Sequence, residues 1–204
     1  MNGGHMKKTL ALAALGIAAP SAVQAITIID TYPDFQGNYT SGYIAQAQEF
    51  VAPNDDNVLL SWQFALWSRV GQGDVTFGVY NFSTAGPTGS ALYSSTFAWG
   101  ASGNKLVDNI NLSLAPGGRY FAVVDFHGYN QTSIAFNANQ NSYNAGNGWW
   151  NNGVTGWQDL NGLNQTFKAT FVPEPATVTA FGLGALALLR RRKRRSVAEQ
   201  HSRC

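Results

Sequence analysis

The chain has 204 residues, a formal charge of +2 at neutral pH, and one cysteine, Cys204, at the last position. The charge is unevenly placed. Residues 26–171 carry four basic side chains (Arg69, Lys105, Arg119, Lys168) against nine acidic ones, a formal −5, so the positive excess belongs to the ends. An acidic domain is repelled by phosphate backbones, which argues against nucleic-acid binding, and without an internal cysteine it has no disulfide, thiol nucleophile or zinc–thiolate site.

The chain opens with features of an export signal. Lys7 and Lys8 precede an apolar stretch from Leu10 to Ala19, then Pro20 and Ser21, and Val23-Gln24-Ala25 offers small residues at the positions signal peptidase reads. Residues 1–25 are therefore expected to be a secretory signal peptide cut after Ala25. Met6-Lys7-Lys8 has the usual opening of such a peptide, so Met6 is a candidate start of translation. The rest, up to residue 171, is long enough for one domain with a proper core and too short for two.

Within that domain the dominant period is two. Leu60, Trp62, Phe64 and Leu66 share one face of a strand, with Ser61 and Gln63 opposite. Val75, Phe77 and Val79 repeat the pattern, as do Ile110, Leu112 and Leu114, then Tyr120, Ala122, Val124 and Phe126, and last Phe167, Ala169 and Phe171. Turn signals separate these runs: Pro53-Asn54-Asp55, Gly71-Gln72-Gly73, Ala85-Gly86-Pro87 and Pro116-Gly117-Gly118. No internal stretch holds a helical period. The pattern predicts an all-β, antiparallel β-sandwich of jelly-roll type.

Residues 137–164, "NANQNSYNAGNGWWNNGVTGWQDLNGLN", break the alternation and contain three of the six tryptophans. They form either a long decorated loop or a pair of short outer strands. Sugars stack their C–H faces on aromatic rings and bond amides and carboxylates through their hydroxyls. Tyr143, Trp149, Trp150, Trp157 and Asp159, with Asn151 and Asn152, are thus candidate carbohydrate-binding residues. The competing expectation is that the large aromatics plug the sandwich.

Other groups point to chemistry less firmly. Asp125 and His127, two apart on an expected strand, would share a face and could pair as acid and imidazole, but no Gly-x-Ser-x-Gly elbow supplies a nucleophile. Glu49, Asp125 and Asp159 are conceivable members of a glycosidase carboxylate pair, though nothing in their spacing selects two. Asp55-Asp56 suits either a calcium-holding loop or an ordinary turn. Nothing in the sequence demands a cofactor, and no metal-ligand set is spaced for one.

The C-terminal end is the most informative segment. Val172-Pro173-Glu174-Pro175 is followed by fourteen uncharged residues, 176–189, and then by Arg190, Arg191, Arg192, Lys193, Arg194 and Arg195. As a helix the apolar run would be about 21 Å long, shorter than a bilayer core of about 30 Å. Pro175 suits a helix start, and the basic cluster can snorkel to the headgroups and lengthen the span. The cluster also marks the cytoplasmic side, leaving residues 26–171 outside and 196–204 as a cytoplasmic tail.

This tail resembles the PEP-CTERM sorting signal of Gram-negative bacteria, also catalogued as an ice-binding-protein C-terminal domain. The resemblance implies recognition by exosortase, a membrane-embedded protease that acts near Pro173, Glu174 and Pro175. It further implies delivery to a cell surface or biofilm matrix rich in exopolysaccharide. Pieces such as "QEFVAP", "LAPGGRYFAVV" and "FKATF" are similar to the β-sandwiches that often precede such a tail. The expectation is a structural or adhesive exported protein that is not an enzyme, with exosortase, signal peptidase and polysaccharide as partners; the alternative is a secreted glycosidase or related hydrolase.

Overall fold

The computed structural model describes residues 26–41, 43–69, 73–98, 103–127, 132–137 and 143–174. The expected signal peptide, the apolar run 176–189, the basic cluster and the tail 196–204 lie outside them. Among the described residues no helix is long and apolar enough to cross a membrane, and the only helical element is a 3-10 turn at Tyr32–Asp34.

Among the described residues, fourteen strands build two antiparallel sheets. In chain order they are β1 (Thr27–Asp30), β2 (Gly37–Ser41), β3 (Ala45–Val51), β4 (Val58–Arg69), β5 (Asp74–Asn81), β6 (Tyr93–Ala98) and β7 (Gly103–Val107). There follow β8 (Leu112–Ser113), β9 (Arg119–Asp125), β10 (Thr132–Asn137), β11 (Gly148–Asn151), β12 (Trp157–Asp159), β13 (Asn164–Gln165) and β14 (Phe167–Val172). Sheet I runs β1-β14-β4-β10-β13, with β2 on β10 and β7 and β8 on β4; sheet II runs β12-β11-β3-β9-β5-β6.

The apolar alternation decides which face of each strand turns inward, except at the start of β4, where a register shift against β14 between Thr170 and Phe171 places Leu59 in the core instead of the expected Leu60. Phe50 of β3, Val75, Phe77 and Val79 of β5, and Tyr120, Ala122 and Val124 of β9 meet Leu59, Trp62 and Phe64 of β4 and Phe167, Ala169 and Phe171 of β14 in one core. Trp62 stacks on Phe167 with ring centroids 4.5 Å apart and an interplanar angle of 4°. Each such side chain taken out of water contributes about 1.5–3 kcal/mol, and this core is the main bond between the sheets.

β14 occupies a central place. Its register sets Phe167 opposite Phe64 and Val172 opposite Val58, while β1 covers its other edge from Thr27 against Phe171 to Asp30 against Lys168. The strand runs to Val172, one residue past the expected end of the domain, so the start of the C-terminal motif is sheet.

A second link between the sheets is polar. Gln48 of β3 is fully buried; its Nε2 donates to Asn164 Oδ1 (2.9 Å) and to the Glu49 carbonyl (2.8 Å), and its Oε1 accepts from the Gln165 backbone N–H (2.8 Å). The amide thereby joins β3 of sheet II to β13 of sheet I. The alternation rule would have left glutamine outside, but here its donor and acceptor capacity is used and its burial is offset.

Candidate functional site

The segment 143–164 contributes the edge of sheet II. β11 pairs with β3, and β12 pairs with β11 through a turn built by asparagines. Asn151 Oδ1 accepts from Gly153 N–H (2.7 Å), and Asn152 Oδ1 accepts from the N–H groups of Val154 and Thr155 (2.9 Å each). These amides close the hairpin through the local side-chain bonds that favour asparagine in turns. Of the two sequence expectations, short outer strands describe this segment.

Alternation along β11 sends its two tryptophans to opposite faces. Trp149 stands opposite Ala47 on the face of sheet II turned away from the main core, and is buried with Ala47, Phe121 and Val123 in a second apolar cluster. Its ring meets Phe121 edge-on at 5.5 Å, and Phe82 stacks on the same phenylalanine at 5.5 Å. Trp157 packs on this cluster from β12. Gly86 lies so close that a Cβ there would collide with the Trp157 side chain, and its φ of +91° also requires glycine.

Trp150 stands opposite Gln46 on the other face and is half-buried. Tyr43, just before β3, stacks on it with centroids 4.5 Å apart at 24°. Tyr143 lies elsewhere again. Its hydroxyl accepts from Val51 N–H (2.9 Å), and its ring meets Phe167 edge-on at 5.3 Å. Burial raises the Tyr143 pKa above the usual phenol value, because the phenolate would lose its water. Asp159 accepts from Asn161 N–H at Oδ1 (2.7 Å) and from Asn147 Nδ2 at Oδ2 (3.0 Å). The candidate sugar-binding residues are therefore spread over separate places; Trp150, half-buried, is stacked with Tyr43 as an aromatic pair.

The Asp125/His127 expectation needs correction. β9 ends at Asp125, and His127 lies beyond it in a turn with φ of 51°. Asp125 Oδ1 accepts the His127 backbone N–H (2.8 Å), while the imidazole Nε2 meets Thr76 Oγ1 (2.8 Å). The carboxylate shapes the turn, because the chain leaves the strand before the two side chains can share a face. Glu49 is committed as well, buried in an ion pair with Arg119, whose guanidinium also lies 3.9 Å over the Phe82 ring. Asp56 is buried and accepts the Thr27 hydroxyl at 2.5 Å, whereas Asp55 is exposed. Among the described residues no group of three His, Cys, Asp or Glu is placed to hold a metal ion.

At the C-terminal end the structure describes Pro173 and Glu174; Pro175 and Arg190, Arg191, Arg192, Lys193, Arg194 and Arg195 lie outside it. Glu174 is held by the domain. Asn57, buried between the ends of β8 and β14, donates through Nδ2 to Glu174 Oε1 (2.9 Å) and to the Leu114 carbonyl (2.6 Å). Sequence reasoning missed Asn57 and Tyr43. Asn57 reads as one more turn residue after Pro53, and nothing near Tyr43 in sequence announces a partner for Trp150.

Residues 171–195 match the PEP-CTERM protein-sorting motif, which implies export and processing by exosortase. No curated protein matches the chain. Among solved structures, the chain is similar to the cysteine protease and lectin-like domains of Cwp84, a surface layer associated protein of Clostridium difficile, with a TM-score of 0.53 and 17% identity. It is also similar to clostridial Cwp84 after propeptide cleavage, with a TM-score of 0.52 and 18% identity. Each match covers 73% of this chain but only 36% and 40% of the respective neighbour, and at that identity the likeness shows the fold alone.

Proposed function

We propose that this is an exported protein of the Gram-negative cell surface or extracellular matrix, delivered by exosortase, with a structural or adhesive role that includes holding exopolysaccharide. The observation that carries the reading is the sorting motif at residues 171–195, which begins inside the last strand of the sandwich. Delivery is thereby built into the fold. The sandwich is the cargo, and the apolar run 176–189 with the basic residues behind it serves as a transient tether.

The Tyr43–Trp150 pair is the best-placed surface for a sugar ring. Trp149, Trp157 and Tyr143 are engaged in packing, and Asp159 in holding Asn147 and its own turn. The likeness to Cwp84 lends support of a limited kind: an all-β chain without an internal cysteine corresponds to a lectin-like part better than to a cysteine protease.

Two measurements test this. Trp150→Ala should abolish pull-down on the host's exopolysaccharide while leaving the melting temperature within a few degrees of the parent. Trp149→Ala should instead destabilise the fold by about 3–5 kcal/mol, as large-to-small core changes do. Retained binding by a folded Trp150→Ala variant would refute the sugar surface. For sorting, Glu174→Ala should leave uncleaved precursor in the inner membrane, and normal surface delivery of that variant would contradict exosortase recognition.

A further inference from the structure

The glutamate of the sorting motif is docked on the domain that it delivers. Asn57 is 6% exposed, and its side-chain amide is shared between two acceptors on either side: the Leu114 carbonyl at 2.6 Å and Glu174 Oε1 at 2.9 Å. The backbone around it is fixed too. Leu114 N–H donates to the Asn57 carbonyl (3.0 Å), Val58 pairs with both Ser113 and Val172, and Phe171 is completely buried. Only Pro173 separates Glu174 from the last paired residue, and its ring fixes φ. The motif therefore leaves the sandwich without a spacer, and its acidic side chain faces back onto the sheet end.

We propose that Asn57 is a positioning residue for processing: it holds Glu174 against the sandwich and acts as a brake that must open before exosortase can read the motif. The inference rests on the sorting role proposed above. A protease that reads the acid must supply its own donors to a carboxylate already accepting from Asn57. It must also take hold of a chain whose preceding residues are locked in the β14–β4 ladder. Its apparent affinity falls by the fraction of molecules in which the contact is open. An intramolecular hydrogen bond of the usual net strength, about 1 kcal/mol, is worth about a five-fold shift in that population.

The test is a pulse-chase of precursor to processed form, using the full chain in a host with its exosortase. Asn57→Ala should speed processing about five-fold, and so should Asn57→Ser, which keeps a hydroxyl for the Leu114 carbonyl but is too short to reach both acceptors. Thr27→Val is the control for loosening. It removes the neighbouring Thr27–Asp56 hydrogen bond without touching Glu174, and it should process at the parental rate. Parental or slower processing in both Asn57 variants, or equal acceleration in the control, would overturn the brake. The contact itself is read separately: the Asn57 side-chain amide resonances of the detergent-solubilised full chain should shift on Glu174→Ala, and unmoved resonances would also overturn it. If those resonances move but exosortase never processes the parent, the sorting role has failed and the brake falls with it. If the parent is processed and the Asn57 variants match it, only the brake has failed.

Discussion

Arg119 and Glu49 show how much a single pair can carry. Val51 stands opposite Arg119 and Glu49 opposite Phe121 in the β3–β9 ladder, so the two charged side chains are diagonal neighbours on the outer face of sheet II. The Glu49 side chain is 3% exposed, while that of Arg119 is 52% exposed and lies over Phe82. The arginine thus works as a half-open lid over a buried carboxylate. Asn147 supports it from the other side, its carbonyl accepting Glu49 N–H at 2.9 Å, and Gly146 is so close to the Glu49 carbonyl that any Cβ would collide. Arg119→Ala should cost about 3–5 kcal/mol in denaturant unfolding, because it strands a buried charge. Arg119→Lys should recover only part, since an ammonium lacks the planar fork and stacks poorly on Phe82. A loss below about 1 kcal/mol in Arg119→Ala would mean that water reaches Glu49. None of this was legible in sequence, where Glu49 stood as a conceivable carboxylate of a hydrolase and nothing tied it to an arginine seventy residues away.

The elements themselves were more legible, where burial on one face made the alternation plain. β4, β5, β9 and β14 all coincide with runs of alternating Phe, Trp, Val and Leu. β3 was hidden, because Ala45-Gln46-Ala47-Gln48-Glu49 alternates only small alanines with polar residues and has no large apolar side chain, yet it is buried on both faces. One face meets Trp149 and Phe121, and the other supplies the Gln48 link to β13, so tertiary contacts replaced the usual pattern. The tail was legible as a motif but its attachment was not. Because β14 runs to Val172 and Phe171 is fully buried, no protease can cut within 167–172 without removing a central strand of sheet I. The processed protein should therefore end at or after Pro173 when its intact mass is measured. A C-terminus inside β14 on a folded, soluble product would show that the strand is dispensable, which its ladder against β4 and β1 contradicts.

At the scale of the whole molecule, one apolar core and a thin polar link must hold two sheets together without a disulfide. Charge placement, with the acids in the sandwich and the cations in the tail, was readable at once from the sequence; the burial of its tyrosines was not. Burial pushes the Tyr32 hydroxyl up to about 12 and raises Tyr143 likewise, while burial and the Asp125 charge raise Tyr80. The sign follows from linkage. Between the unfolded phenol value near 10 and these raised values, the folded state keeps protons that the unfolded state has lost, so stability falls as pH rises through that window. Below about pH 10 both states are protonated and these groups add no slope. Denaturant midpoints should therefore be insensitive to tyrosine ionisation from pH 8 to about 10 and should decline from there towards about 12. The decline should be shallower in a Tyr32→Phe, Tyr143→Phe double variant, which has lost two of the groups that titrate. That variant should also start lower at pH 8, by about 1–2 kcal/mol, because Val51 N–H has lost the Tyr143 oxygen that accepts from it. Equal slopes in parent and variant would assign the alkaline loss to repulsion within an acidic domain instead, and that cause would weaken with added salt whereas phenol ionisation would persist.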